Sequence, residues 1–260
     1  MKSNRPVVLS FSGHDPSGGA GIQADIETLI SHQCHSLSII TALTEQDSRN
    51  VKKLIPQNPE NILAQANTLF DDFDINCIKI GLIGSIEIIP VLRSILLRHP
   101  EIPVILDPIL AAGGGKKLST PELTSLVFNQ LVPLCTVVTP NASEARKLCS
   151  SEDLTLCGQS LVDQGSEFAL ITGADEKTER IENRLFSNHQ NETFYWERLP
   201  HSYHGSGCTL ASAISALISH GLDPFTAISE AQEYTWNSLA AAYRCGKGQM
   251  NPNRLFWMQT

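Results

Sequence analysis

Two glycine-rich turns hold most of the chemistry this sequence could perform. The first, Ser12-Gly13-His14-Asp15-Pro16-Ser17-Gly18-Gly19-Ala20-Gly21, lies between a β-rich run and a helical pattern. Glycines there permit positive φ and close backbone approach to a ligand, and a helix start offers unpaired N–H donors. No Lys-Ser or Lys-Thr follows as in a Walker A loop, and dinucleotide G-x-G-x-x-G spacing is absent. Taken alone, such a turn can equally be only a turn. The second is Tyr203-His204-Gly205-Ser206-Gly207-Cys208-Thr209, leading into Leu210-Ala211-Ser212-Ala213-Ile214. Amides of Gly205, Ser206 and Gly207 at a helix start could converge on the charge of a transferring phosphoryl group. Cys208 in the first turn would feel the helix dipole, which favours thiolate and suits a general base toward a hydroxyl. A cysteine beside small residues also reads as plain packing.

Carboxylates supply a third candidate. Leu106-Asp107-Pro108 ends one β-rich run, and Thr139-Pro140-Asn141-Ala142-Ser143-Glu144 leads from the next into a helix. Mg²⁺ prefers one or two carboxylates plus water and phosphate oxygens, work that Asp107 and Glu144 could share. Asn141 with Glu144 three residues on is equally a capping box that needs no ligand. Gln46, in Ile40-Thr41-Ala42-Leu43-Thr44-Glu45-Gln46-Asp47 after a second strand, could offer a donor and an acceptor to a heterocycle. The default for it is a solvated loop glutamine. Thr172 and Gly173 could open a nucleotide site, although any strand can end in Thr-Gly. Of the eight histidines, His14 and His204 are site candidates, and the other six show no metal-ligand spacing.

The elements that must position these residues follow an alternating rhythm. Val7–Ser12, Leu37–Ile40, Cys77–Ile80, Val104–Leu106, Cys135–Val138 and Phe168–Ile171 read as strands. Helical spacing appears at Ile22, Ile26, Leu29 and Ile30, near Ser85–Arg98, near Pro121–Gln130 and from about Asn141. Continuous apolar strands between helices predict an α/β fold, a doubly wound, mostly parallel sheet in three αβα layers, with ligands at the strands' carboxyl ends. Arg180–Ser187 and Thr193–Leu199, around Asn188-His189-Gln190-Asn191, predict a small β-hairpin that could be a flap beside the site. Two helices follow, Gly205 to about His220 and Pro224 to about Tyr243.

The 260 residues, 42% hydrophobic and 18% charged, suit one domain over 1–260 with a filled α/β core. A net charge of −8 without a Lys/Arg cluster argues against nucleic acid or an anionic membrane as partner. Seven cysteines with no C-x-x-C pair speak against a disulfide framework or a zinc knuckle and suit a reducing cytoplasm. The apolar run near Met1 ends at Phe11, so a signal-peptide core is not expected, and no stretch approaches a membrane span.

In order, these pieces resemble the hydroxymethylpyrimidine/phosphomethylpyrimidine kinases of the ribokinase-like superfamily along nearly the whole chain. The resemblance rests on Gly13-x-Asp15-Pro16-Ser17-Gly18-Gly19-Ala20-Gly21-Ile22-Gln23-Ala24-Asp25, Ile40-Thr41-Ala42-Leu43-Thr44-x-Gln46, Lys79-Ile80-Gly81-Leu82-Ile83-Gly84-Ser85, Leu106-Asp107-Pro108, Thr139-Pro140-Asn141-x-x-Glu144 and His204-Gly205-Ser206-Gly207-Cys208-Thr209-Leu210. It implies phosphorylation, dependent on ATP and Mg²⁺, of 4-amino-5-hydroxymethyl-2-methylpyrimidine and then of its monophosphate, for thiamine biosynthesis. By the same resemblance Gly13, Asp15, Ala20 and Gln46 would line the pyrimidine pocket, with Leu82 and Ile109 as apolar walls. Cys208 would be the base and Gly205, Ser206 and Gly207 the anion hole. Asp107, Asn141 and Glu144 would organise Mg-ATP, with Thr172 and Gly173 near the nucleotide, in a homodimer.

The chain departs from that pattern where lysine is frequent. Ala112-Gly113-Gly114-Gly115 stands for Ala-Lys-Ser-Gly, with Lys116 and Lys117 nearby as substitutes, and Thr172-Gly173-Ala174 stands for Lys-Gly-Gly. The closing Gly-x-Gly-His-Gly is Gly246-Lys247-Gly248-Gln249-Met250. Fewer fixed cations should weaken the second phosphorylation most, because its acceptor is already anionic. A pyridoxal or pyridoxine kinase, or a pyrimidine-binding relative without turnover, are the alternatives.

Overall fold

The computed structural model describes residues 5–111 and 118–258; the Gly113–Gly115 run, Lys116 and Lys117 lie outside the described residues. One nine-stranded sheet organises the chain. Its strands are β1 (Val7–His14), β2 (His35–Gln46), β3 (Val51–Pro56), β4 (Cys77–Ile80), β5 (Val104–Leu106), β6 (Val137–Val138), β7 (Phe168–Ile171), β8 (Ile181–Ser187) and β9 (Asn191–Trp196). The spatial order is β3-β2-β1-β4-β5-β6-β7-β8-β9. Strands β2, β1, β4, β5, β6 and β7 are parallel, while β3 at one edge and β8–β9 at the other are antiparallel. Strand order reverses beside β1, where β2 lies on one side and β4 on the other. Such a switch point opens a crevice at the carboxyl ends of the strands.

Successive side chains of a strand point to opposite faces, and the sequence exploits this at every central strand. Leu9, Phe11, Ile78, Ile80, Leu106, Val138 and Ile171 pack on one face against α2 (Pro59–Asp72), α3 (Ile88–Arg98), α4 (Pro121–Leu126), α5 (Ala142–Cys149) and α6 (Leu154–Asp163). Val8, Cys77, Ile105, Val137 and Leu170 pack on the other against α1 (Gly21–Ser31), α7 (Ser206–Ser219) and α8 (Pro224–Ala240). Both faces of the parallel sheet are thereby covered, as the doubly wound expectation requires. Among the described residues no helix is long and apolar enough to cross a membrane.

Several elements differ from the sequence reading. The second strand runs on to Gln46, because β3 pairs antiparallel with residues 42–46 and supplies partners for what looked like a loop. Helix α2 is an addition to the expected elements, and its start signal is local: Asn58 accepts from the Glu60 amide and Pro59 opens the first turn. Helix α6 is a second addition, divided from α5 only by a short turn with Ser150 at φ 52°. The helix expected through Gln130 stops at Leu126, and the chain continues as single π and 3₁₀ turns to Leu134. The β8–β9 hairpin is no flap: β8 pairs with β7 across residues 168–171, so the hairpin extends the main sheet.

Candidate active site

The carboxyl ends of β1, β4, β5, β6 and β7 open into a cleft of about 260 Å³. Gly13, Asp15, Ala20, Gln46, Leu82, Asp107, Ile109, Asn141, Glu144, Thr172, Gly205, Ser206, Gly207 and Cys208 all line it. Gly173 does not. A Cβ there would collide with the Glu182 carbonyl, and its amide donates to Asn183 Oδ1 at 3.0 Å, so this glycine serves the close approach of β8. His14 and His204 reach the cleft as expected, Thr44 and Tyr203 join from within the quoted motifs, and Val51 and Asp175 are additions. The hairpin that touches the cleft is β2–β3, through Thr44, Gln46 and Val51.

Asp15 organises the first glycine-rich turn. Its carboxylate accepts from the Ser17 amide at 2.8 Å, Ser17 Oγ at 2.7 Å, the Gly19 amide at 3.1 Å and the Ala20 amide at 2.9 Å. His204 Nε2 adds a contact of 2.8 Å from the second turn. Burial would raise the Asp15 pKa, but the hydrogen bonds from His204 and Ser17 outweigh it and hold the carboxyl well below its usual range. All these donors make Asp15 the organiser of the loop, from which it also lines the cleft. Gln46 Nε2 lies 3.4 Å from the same His204 nitrogen. That nitrogen's proton is directed at Asp15, so it has no lone pair for the amide, and Gln46 keeps a donor and an acceptor for a heterocycle.

In the second glycine-rich turn, Gly205 takes φ +79° as the residue before α7, and a Cβ there would strike the Gly19 carbonyl. The two glycine-rich turns therefore touch backbone to backbone. Cys208 is buried in the first turn of α7 beside Asp107. Burial pushes its thiol up to about 12, against the pull of Lys79 and the Gly21 amide. The expected dipole-favoured thiolate is thus not the resting form; the resting thiol hydrogen-bonds to Asp107. Asp107 is itself raised to about 6 by burial, with Lys79 opposing.

Glu144 closes the capping box read from sequence: Asn141 Oδ1 accepts from the Glu144 amide at 2.9 Å, and Glu144 Oε2 accepts from the Asn141 amide at 3.0 Å. Its Oε1 also accepts from the Leu110 amide at 3.1 Å. Burial and the nearby Asp107 charge push its carboxyl up to about 8. Cap and cleft residue are therefore the same group. Two buried, mutually repelling carboxylates with hard oxygen donors fit a divalent cation.

Positive charge reaches this cleft from behind. No Lys or Arg is among the described residues lining it. Lys79, fully buried, lies 2.9 Å from Asp25 and 3.1 Å from Ser12 Oγ, and its charge acts on Cys208 and Asp107. A lysine between Ile78 and Ile80 in a buried strand was the one sequence signal for this pair.

The family model for phosphomethylpyrimidine kinase matches residues 15–253. The chain belongs to that family. It is a kinase, hence a phosphotransferase, with a ribokinase-like fold. A hydroxymethylpyrimidine/phosphomethylpyrimidine kinase of Rhizobium meliloti is 32% identical over 255 residues, covering 94% of this chain and 94% of the relative. Among solved structures, the ADP complex of Bacillus subtilis pyridoxal kinase superposes with a TM-score of 0.91 at 25% identity, covering 99% of this chain and 100% of the other. Phosphomethylpyrimidine kinase from Clostridium difficile gives 0.80 at 27% identity, covering 90% and 100%.

Proposed function

We propose that the protein transfers the γ-phosphoryl group of ATP to 4-amino-5-hydroxymethyl-2-methylpyrimidine and then to its monophosphate, in thiamine biosynthesis. The observation that carries this reading is the convergence of Cys208, Asp107 and the Gly205–Gly207 turn on the same cleft that Gln46 and Leu82 line. The ring would lie against the wall that Leu82 makes with the Gly13 backbone, with its polar edge on Gln46 and its hydroxymethyl group facing Cys208. A Cβ on Gly13 would come within 2.7 Å of a Leu82 methyl, so Leu82 packs directly on the Gly13 backbone and a side chain there would push this wall out of place.

Cys208, once its own proton has left to solvent, takes the proton of the acceptor hydroxyl as the new oxygen–phosphorus bond forms and the bond from the γ-phosphorus to the ADP oxygen breaks, which restores the thiol. The amides of the Gly205–Gly207 turn face the charge on the moving phosphoryl group, and catalysis is chiefly positioning and charge neutralisation. Glu144 and Asp107 would hold Mg²⁺, which when bound neutralises phosphate charge and draws both carboxyls into their ionised forms. Thr172, with Asn141, lines the nucleotide side of the cleft. Family resemblance and the free cysteines add the expectation of a cytoplasmic homodimer.

The likeness to pyridoxal kinase favours a second acceptor, a hydroxymethyl pyridine. The deciding assay is ADP release with Mg-ATP and, separately, hydroxymethylpyrimidine, its monophosphate and pyridoxal, with Cys208→Ala alongside. The proposal expects turnover of both pyrimidines, reduced about 100-fold or more in the variant. Turnover of pyridoxal alone would move the protein to the second reading, and binding without ADP release would make it a non-catalytic pyrimidine binder.

A further inference from the structure

The C-terminal segment returns to the site after α8. Asn251 pairs with Tyr243 through both backbone groups at 3.0 and 2.9 Å, and the His204 amide donates to the Met250 carbonyl at 2.9 Å. This path delivers Arg254 to the space behind the two glycine-rich turns. Its side chain is 1% exposed, and its guanidinium divides among three elements. Nη2 donates to the Gly19 carbonyl at 2.6 Å, Nε to Thr209 Oγ1 at 2.9 Å and Nη1 to Glu27 Oε2 at 2.9 Å. Thr209 Oγ1 in turn donates to the Gly205 carbonyl at 2.8 Å. A Cβ on Gly205 would meet Arg254 Nη2 at 2.9 Å as well as the Gly19 carbonyl.

An unbroken chain of polar contacts therefore links Gly19, in the turn that would carry the acceptor, through Arg254 and Thr209 to Gly205, in the turn that would carry the moving phosphoryl group. We propose that Arg254 is a positioning residue for phosphoryl transfer, its planar fork setting the separation of the Asp15–Gly21 turn from the first turn of α7. The clamp rests on the phosphotransfer reading given above. A planar guanidinium reaches all three acceptors at fixed angles, which a lysine ammonium on a flexible stem does not reproduce. Its charge also lies behind the start of α7, adding to the positive end of the helix dipole. A misplacement of about 1 Å between reacting groups costs on the order of 100-fold in rate. The part of the chain where the family's closing glycine-rich pattern is altered thus feeds the site from behind.

The test compares Arg254→Met, Arg254→Lys and the milder Glu27→Gln by steady-state kinetics, thermal midpoint and amide hydrogen exchange. Arg254→Met is expected to lower kcat about 100-fold with the KM for ATP changed less than threefold, and to speed exchange at Gly19–Gly21 and Gly205–Cys208 together while β4 to β6 stay protected. Arg254→Lys should recover most of the thermal midpoint but little of kcat. If Arg254→Met does not fold, Glu27→Gln is read in its place, with the same paired exchange at smaller amplitude. A kcat within threefold of the unmodified enzyme, or faster exchange confined to the C-terminal segment, overturns the clamp. If the unmodified protein turns over no acceptor, the phosphotransfer reading falls, and the clamp itself is then decided by exchange alone, paired in the two turns or confined to the tail.

Discussion

Lys79 Nζ lies 2.9 Å from Asp25 Oδ1 with both side chains excluded from solvent, and Asp25 also accepts from Ser212 Oγ at 2.8 Å and Ser12 Oγ at 2.5 Å. One ion pair thus ties together β1, β4, α1 and α7, the elements that carry Gly13, Gly21 and Cys208 and lead into Leu82. Removing one partner strands the other's charge in the core. Lys79→Met should cost about 3–5 kcal/mol of stability, and adding Asp25→Leu should return most of it. Denaturant unfolding of the single and double variants checks this, and a single variant as stable as the parent would contradict it.

The Asp15–His204 contact gives the stability a pH dependence. The Asp15 carboxyl is held below its usual range in the folded protein, so its contribution is present above the unfolded pKa of about 4 and is lost as pH falls through the folded value. Asp15→Asn should flatten the decline in thermal midpoint below pH 5 and cost about 3 kcal/mol at pH 7. Thermal melts from pH 3 to 7 measure both. An unchanged acid limb would show that other carboxylates govern it.

Gly205 and Gly207 stand two residues apart in one turn but differ in what a methyl group would meet. At Gly205 it strikes backbone at positive φ; at Gly207 the nearest atom is Asp107 Oδ2 at 3.6 Å. Gly205→Ala is expected to lower the thermal midpoint and abolish ADP release. Gly207→Ala should fold as the parent does and lose activity only through its approach to the phosphoryl path. Equal melting of parent and Gly205→Ala would refute the backbone contact.

Asp107 and Glu144 predict how Mg²⁺ and pH act together. Burial raises both carboxyls, to about 6 and about 8, so the folded protein binds more protons than the unfolded chain. Stability should decline as pH rises from about 4 through these values. A bound cation offsets that decline, so the rise in thermal midpoint on adding Mg²⁺ should be larger at pH 8.5 than at pH 5.5. Glu144→Gln should remove most of this difference. A Mg²⁺ effect independent of pH would argue against these two ligands.

What the sequence determined by itself is local. Strand alternation at Val8/Leu9, Cys77/Ile78 and Leu170/Ile171 declares a sheet covered on both faces, because side-chain direction depends only on the neighbouring residue. The Asn141–Glu144 capping box and both glycine-rich turns were legible for the same reason, and their fixed order carried the family resemblance. What needed the tertiary structure is every relation between distant residues. Arg254 meets Gly19 across 235 positions and Lys79 meets Asp25 across 54, and no local pattern pairs them. The β8–β9 hairpin reads the same whether it forms a flap or a sheet edge; only the register of β8 on β7 decides. Cys208 sits in a helix first turn, where the dipole favours thiolate, yet its protonation follows from burial. Desolvation of a charge depends on everything packed around it, and that is known only once the chain has folded.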